Sequence, residues 1–259
     1  MFPTLFVSHG APTLPLTDAP ARDFLATLGT RLGRPRAILV ASAHWETDAP
    51  MLNAPKVNET IHDFHGFPRA LYEMRYPAPG APELVERAED LLAAAGLPSA
   101  TDPVRGLDHG AWVPLKLMYP QADIPVAQIS VQSDLGPAHH LQLGRALAKL
   151  REEDVLVLGS GSFTHDLRRF RGSRVDAEQQ PDVAAFAEWF DRALTENRTA
   201  DLLTYRRLAP HAVDNHPTEE HLLPIFVALG AAGDAAKAER LHDSAMFGFL
   251  RMDVYAFNI

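Results

Sequence analysis

Histidine is the residue in this chain best placed to do chemistry. There are twelve histidines and no cysteine. The missing thiols exclude disulfides, iron–sulfur clusters, zinc–thiolate sites and cysteine nucleophiles together. Any metal must therefore rest on nitrogen and oxygen ligands, and imidazole suits zinc, iron, copper and nickel. Three histidines follow short apolar runs that read as buried strands: His9 in Ser8-His9-Gly10, His44 in Ser42-Ala43-His44-Trp45, and His165 at the end of Gly159-Ser-Gly-Ser-Phe-Thr-His165. A lone histidine after a strand is ordinarily a hydrogen-bonded loop residue. Three in that position make a pattern, because strand-end loops of one sheet converge on one point.

A second dense segment is Asn215-His216-Pro217-Thr218-Glu219-Glu220-His221-Leu222-Leu223-Pro224. Asn215 or Thr218 as a cap, with Glu219 and Glu220 in a first turn, explains the polar residues by helix chemistry alone. His221 is not explained that way. His216 and His221 stand five apart, so one helical face presents only one of them. Coordination chemistry leaves two completions open. Two histidines plus Glu219 or Glu220 would make the facial triad of a non-heme Fe(II) oxygenase. Three histidines would equally suit catalytic zinc.

Other motifs carry less. Gly159-Ser-Gly-Ser lacks the lysine of a phosphate loop, and no GxSxG elbow surrounds Ser160 or Ser162. Its glycines read as a turn near a pocket. His139 and His140 fall at an expected helix start and read as solvated, and His242 reads as structural within a late strand. Asp108 reads as the N-cap of a helix over 111–118, with His109 beside it.

The elements needed to position these residues are visible in the periodicity. Thr4–Val7, Ala37–Ala43, Pro125–Val131 and Val155–Leu158 read as strands. Helical spacing fits 19–32, 82–95, 137–150, 182–197 and 218–231, with Pro82 and Pro137 in first turns and Gly96 and Asn197 as stops. Residues 241–257 would add antiparallel strands at one side. Proline clusters at 50–55, 77–82 and 98–103 read as loops. Strands alternating with helices predict an α/β fold, a single domain over 1–259 with a largely parallel central sheet.

Acidic residues exceed basic ones by 33 to 24, a net charge of −9, which disfavours nucleic acid as a partner. Nothing approaches the roughly 20 apolar residues of a membrane span, and the N-terminal segment turns polar by Ser8. A cytoplasmic protein without a membrane partner is expected.

Taken in order, SHGAP (8–12), SAHW (42–45), TIHDFHGFP (60–68), YPAPG (76–80), LDHGAW (107–112), GSGSFTHDL (159–167) and HPTEEHLLP (216–224) make the chain resemble the class III, LigB-type extradiol ring-cleaving dioxygenases. Within them the resemblance is to the 4,5-DOPA extradiol dioxygenase branch of bacteria and plants. It spans nearly the whole chain. No single piece is decisive, but the ordered set is specific. Two positions depart from the pattern: His216, where a small polar residue is expected, and Gly161-Ser162 before Phe163.

The resemblance implies a LigB-like three-layer sandwich with a mostly parallel or mixed sheet. It also implies Fe(II) held by His9, His44 and His221, His165 as catalytic acid–base, and His109 contacting substrate. The implied substrates are a catechol, DOPA-like or related, and dioxygen, giving a semialdehyde acid. His165 would work as an ordinary imidazole, with a pKa near ~6.5. Zn(II) would also enter such a site, yielding a form unable to cycle electrons. Two rivals remain on the same residues: a zinc-dependent hydrolase, and a non-enzymatic metal-binding protein of the same superfamily. Phe64, Phe67, Trp45 and Trp112 are the residues expected to set pocket depth and polarity.

Overall fold

A computed structural model describes residues 1–258. Its main sheet contains β1 (Thr4–Ser8), β2 (Ala37–Glu46), β3 (Met51–Asn53), β4 (Ala100–Asp102), β5 (Val126–Val131), β6 (Val155–Gly161) and β7 (Lys237–His242). A small hairpin, β8 (Ala245–Met246) and β9 (Leu250–Arg251), precedes β10 (Val254–Asn258), the last strand of the main sheet. The order across the sheet is β4-β3-β5-β2-β6-β1-β10-β7. The central four strands, β5, β2, β6 and β1, are parallel, and β10 and β7 add antiparallel pairs on one side. The late antiparallel strands expected from residues 241–257 are thus present, with β7 beginning slightly earlier.

The helices are α1 (Pro20–Leu32), α2 (Arg69–Glu73), α3 (Pro82–Ala94), α4 (His109–Met118), α5 (Gly136–Leu147) and α6 (Pro181–Thr195). Three single turns follow, α7 (Thr199–Leu202), α8 (Tyr205–Leu208) and α9 (Ala212–Asn215), and then α10 (Leu223–Ala232). Side chains alternate across the strands, so one face of the sheet collects Leu5, Val7, Ile38, Val40, Leu156 and Leu158 beneath α1 and α4. The opposite face presents Leu39, Ala41, Val155 and Val157 to α3, α5 and α10, and Phe6 to α6 and α10. Three layers result. The strands are apolar throughout because both faces are covered.

Several local readings change. The proline clusters at 50–55 and 98–103 contain β3 and β4, which pair with each other at the sheet's edge. Prolines flank these three-residue strands and leave the ladder bonds to other residues. The helix expected over 218–231 starts at Leu223 instead, where Pro224 occupies the first turn, after a bend at 217–219 and a turn at 220–222. His221 therefore sits before the helix, on irregular backbone. The other predicted helices agree to within a few residues. Asn197 and Gly96 take positive φ angles of 56° and 73°, as helix stops do.

Candidate metal centre

Parallel strands place their carboxyl ends at one edge of the sheet. β1 and β2 both flank β6, so His9, His44 and the segment leading to His165 emerge side by side. His44 lies inside β2, two residues before its end, rather than in the loop after it. The register slips between Ala41 and Glu46, an irregularity at the residues that must bring His44 inward.

The approach of His221 depends on two glycines. A Cβ on Gly159 would stand 2.1 Å from the Pro224 carbonyl oxygen, and one on Gly161 would stand 2.0 Å from that of His221. Both residues lie within β6, so the Gly-Ser-Gly run supplies close packing, not the turn read from the sequence. Ser162 N–H then donates to the His221 carbonyl at 2.8 Å, fixing the segment against the strand end.

The nitrogen geometry follows from the hydrogen bonds behind each ring. Ser160 Oγ donates to the Gly110 carbonyl, so it accepts from His9 Nδ1–H at 3.1 Å. His221 Nδ1 stands 2.9 Å from the Glu220 carboxylate, an acceptor only, so that nitrogen carries its proton. His44 Nδ1 stands 3.5 Å from Asp63 Oδ2. With protons on the Nδ1 atoms, the three Nε2 atoms bring lone pairs together, His44 to His9 at 3.1 Å and His44 to His221 at 3.3 Å. His9 and His221, whose Nδ1 protons are engaged, offer only lone pairs here. Two nitrogens about 2.1 Å from one ion would stand roughly 3.0–3.4 Å apart at tetrahedral or octahedral angles. The donor set therefore fits a borderline divalent ion, and the carboxylates behind His221 and His44 are the orienting partners such ligands carry.

Electrostatics agree with this protonation. Burial and the neighbouring imidazoles hold His9 and His221 well below the ordinary histidine pKa. The same causes take His44 down to about 3. All three are neutral at pH 7, the form that donates a lone pair.

His109 and His165 complete the cluster. The His109 ring centroid lies 3.9 Å from that of His44, and His165 stacks on His221 at 3.4 Å with an 11° tilt. His165 N–H donates to the Asn215 carbonyl at 2.8 Å. Burial takes its imidazole down to about 4, well below the unperturbed value expected from sequence.

Asp63, not singled out from the sequence, stands against His109 at two points. Its Oδ1 accepts from His109 N–H at 2.9 Å, and its Oδ2 lies 2.9 Å from His109 Nδ1. Burial would raise this carboxyl, but the His109 contacts outweigh it and bring the pKa to about 2. The available signal was its position within HisAspPheHis, a carboxylate flanked by His62 and His65. Asp108 caps α4 as expected, accepting from Ala111 N–H at 3.1 Å. It also accepts from Ser42 Oγ at 2.7 Å, from Gln128 Nε2, and from Arg105 Nη2 at 3.1 Å, which ties α4 to β2 beneath the cluster.

Other expectations need correction. Trp45 and Trp112 do not line the cavity. Trp45 lies under the Arg105 guanidinium at 4.5 Å, and Trp112 is fully buried with its indole N–H donated to the Ile61 carbonyl. Phe64 and Phe67 do line it. His216 faces away from the cluster, its Nε2 donating to the Phe163 carbonyl at 3.0 Å. Glu219 stands near Arg206 at 4.0 Å, and Glu220 backs His221. His140 is fully buried, not solvated, and His139 is partly covered. His242 lies in β7 as expected, stacked on Phe24.

The cavity above the histidines encloses about 500 Å³, within the usual range for a small-molecule site. Among the described residues, no helix is long and apolar enough to cross a membrane.

Residues 3–252 match the family described as the catalytic LigB subunit of aromatic ring-opening dioxygenase. A Beta vulgaris protein named 4,5-DOPA dioxygenase extradiol is 48% identical, over 98% of this chain and 96% of its own. An Escherichia coli K12 protein of the same name is 40% identical over 88% and 84%. The crystal structure of an uncharacterized Escherichia coli K12 protein superposes with a TM-score of 0.80 at 32% identity, covering 99% of each chain.

Proposed function

The chain belongs to the LigB family of aromatic ring-opening dioxygenases, and from that premise we propose an extradiol enzyme that opens a catechol beside its diol. His9, His44 and His221 would hold Fe(II). Both atoms of dioxygen would enter the semialdehyde acid product. The observation that carries this reading is the meeting of three imidazole Nε2 lone pairs, with two further histidines at the floor of the same cavity.

Bound Fe(II) supplies a docking point for the diol and for dioxygen, and a route for electrons from ring to oxygen. The protein's own groups do the rest. His165, neutral and partly exposed to the cavity, takes a proton from a catechol hydroxyl at its free ring nitrogen and returns it as the ring opens. Its stacking on His221 fixes that ring beside the metal site. His109 would offer its Nε2 toward the diol, with Asp63 accepting from its backbone N–H and facing its Nδ1 at 2.9 Å.

The carboxylate of a facial triad is not needed in this reading, because Glu220 is engaged behind His221. Zn(II) would occupy the same nitrogens without supporting turnover, so the metal must be assayed with the activity. A catechol substrate, DOPA-like or related, and a cytoplasmic location belong to the same proposal. The test is oxygen uptake by anaerobically Fe(II)-loaded protein given catechols. Stoichiometric uptake with a yellow semialdehyde chromophore supports the assignment. Protein with one iron per chain and no uptake across a catechol panel refutes it.

A further inference from the structure

The backbone from Ser162 to His165 is fastened at each residue, and one fastening leads to the cavity wall. Phe163 N–H donates to Ser8 Oγ at 3.1 Å, beside His9, and Ser162 Oγ donates to the Thr164 carbonyl at 2.8 Å. Ser162 N–H and His165 N–H reach the His221 and Asn215 carbonyls. Thr164 uses its side chain differently. It is fully buried, and its Oγ1 donates to the Phe249 carbonyl at 2.7 Å while accepting from Arg251 N–H at 2.8 Å.

The two partners stand on either side of Leu250 in the β8–β9 hairpin. Met252 N–H donates across that hairpin to the Ser244 carbonyl at 2.8 Å, so the neighbouring Arg251 N–H points to the opposite side. There the Thr164 hydroxyl serves both groups, as a further strand would. The hairpin is held elsewhere too, by Phe247 N–H to the Val175 carbonyl at 3.0 Å and Gln180 N–H to the Gly248 carbonyl at 2.9 Å. Arg251 Nε donates to Asp253 Oδ2 at 2.7 Å. Phe247, Phe249 and Leu250 line the cavity. One hydroxyl therefore joins a fixed cavity wall to the residue just before His165, whose ring lies on His221 with 3.4 Å between centroids.

We propose that Thr164 is a positioning residue whose hydroxyl sets the His165 ring relative to the Phe247–Leu250 wall, resting on the ring-cleavage reading for what His165 does.

The test compares Thr164→Val with Thr164→Ser. Valine keeps nearly the same size but leaves the Phe249 carbonyl and Arg251 N–H unpaired, whereas serine keeps the hydroxyl. In Zn(II)-loaded protein, which is diamagnetic, amide exchange resolved by residue should quicken roughly 3- to 10-fold at both Arg251 and His165 in Thr164→Val. Thr164→Ser should exchange at wild-type rates. In Fe(II)-loaded protein of equal metal content, Thr164→Val should lose about 10- to 100-fold in kcat with L-DOPA, or with catechol where L-DOPA is not turned over. Its solvent deuterium isotope effect should rise, because proton transfer by a displaced His165 becomes limiting. Thr164→Ser should restore both.

Faster exchange at Arg251 with His165 unchanged overturns the proposal, since the hydroxyl would then serve the hairpin alone. A raised KM with kcat intact overturns it as well, as does a serine variant that fails to rescue. Should Thr164→Val not fold, Thr164→Ala, which leaves room for water, takes its place. Two unfolded variants would make Thr164 a stability residue and refute the role. Wild-type iron protein that consumes no oxygen with any catechol refutes ring cleavage instead, while amide exchange still decides whether Thr164 couples the wall to His165.

Discussion

Two groups of histidines in this protein show how differently one side chain can be used. At the carboxyl edge of the sheet, His9, His44 and His221 turn their Nε2 atoms toward one another, 3.1 and 3.3 Å apart, with the Nδ1 protons held from behind. At the start of α5, His140 is buried just as deeply, yet its nitrogens are matched. Its Nδ1 donates to the Gly136 carbonyl at 2.7 Å, and its Nε2 accepts from Gln132 N–H at 3.1 Å. His139 likewise meets the Gln132 side chain at 2.9 Å. Burial lowers the pKa in both places. What separates them is satisfaction: one set closes its own hydrogen bonds, and the other leaves nitrogens facing one another with room for a cation among them.

That comparison can be broken most forcefully at His44. His44→Ala, or His9→Ala, should abolish iron binding and with it all measurable ring cleavage, read by metal analysis beside oxygen uptake. A variant that keeps one iron per chain would remove these nitrogens from the ligand set. His165→Ala should retain iron and lose roughly 10²–10⁴ in kcat, about 3–5 kcal/mol of barrier, as single-turnover kinetics would show. Unchanged kcat would deny it the proton-transfer role.

The matched histidine should respond to pH, not to metal. His140 has a folded pKa of about 4, set chiefly by burial, against ~6.5 unfolded. The unfolded chain therefore binds more protons in this window, so the stability from neutral His140 is complete above about pH 6.5. It is lost as pH falls toward 4, to a total of about 3 kcal/mol. Urea midpoints measured across that interval should fall less steeply in His140→Gln. Equal slopes would show that another group carries the dependence. The smallest effect is expected at Asp63. Asp63→Asn should keep iron and lose about 10- to 100-fold in kcat/KM, through a misoriented His109. An additional His109→Ala substitution should then cost little more, because the two act as one unit.

Much of this arrangement was legible from residue order. The β-branched runs and the helices between them indicated the layered α/β fold, since buried parallel strands have no polar face to disguise them. His9, His44 and His165 stood out because each came just after a recognisable strand. Short-range chemistry was harder to read. Residues 51–53 and 100–102 are strands too short for periodicity to reveal, and their prolines point toward loops. Pro224 shifted the start of α10, which moved His221 off the helix and into the turn that faces β6. Nothing local distinguished buried His140 from an exposed helix-start residue.

The sequence by itself determined which groups the protein has to work with: imidazoles without thiols, strands that end beside them, and glycines at 159 and 161. Only the tertiary structure decided how they meet. Gly161 matters because the His221 carbonyl lies where its side chain would be, 161 and 221 being joined by no local rule. Ser160 and Glu220 choose which nitrogen of His9 and His221 keeps its proton, and Asp63 acquires its purpose only when a distant helix places His109 against it. Ligand geometry and tautomer depend on contacts across many residues of chain. Spacing along the sequence carries no information about such contacts until the sheet has closed.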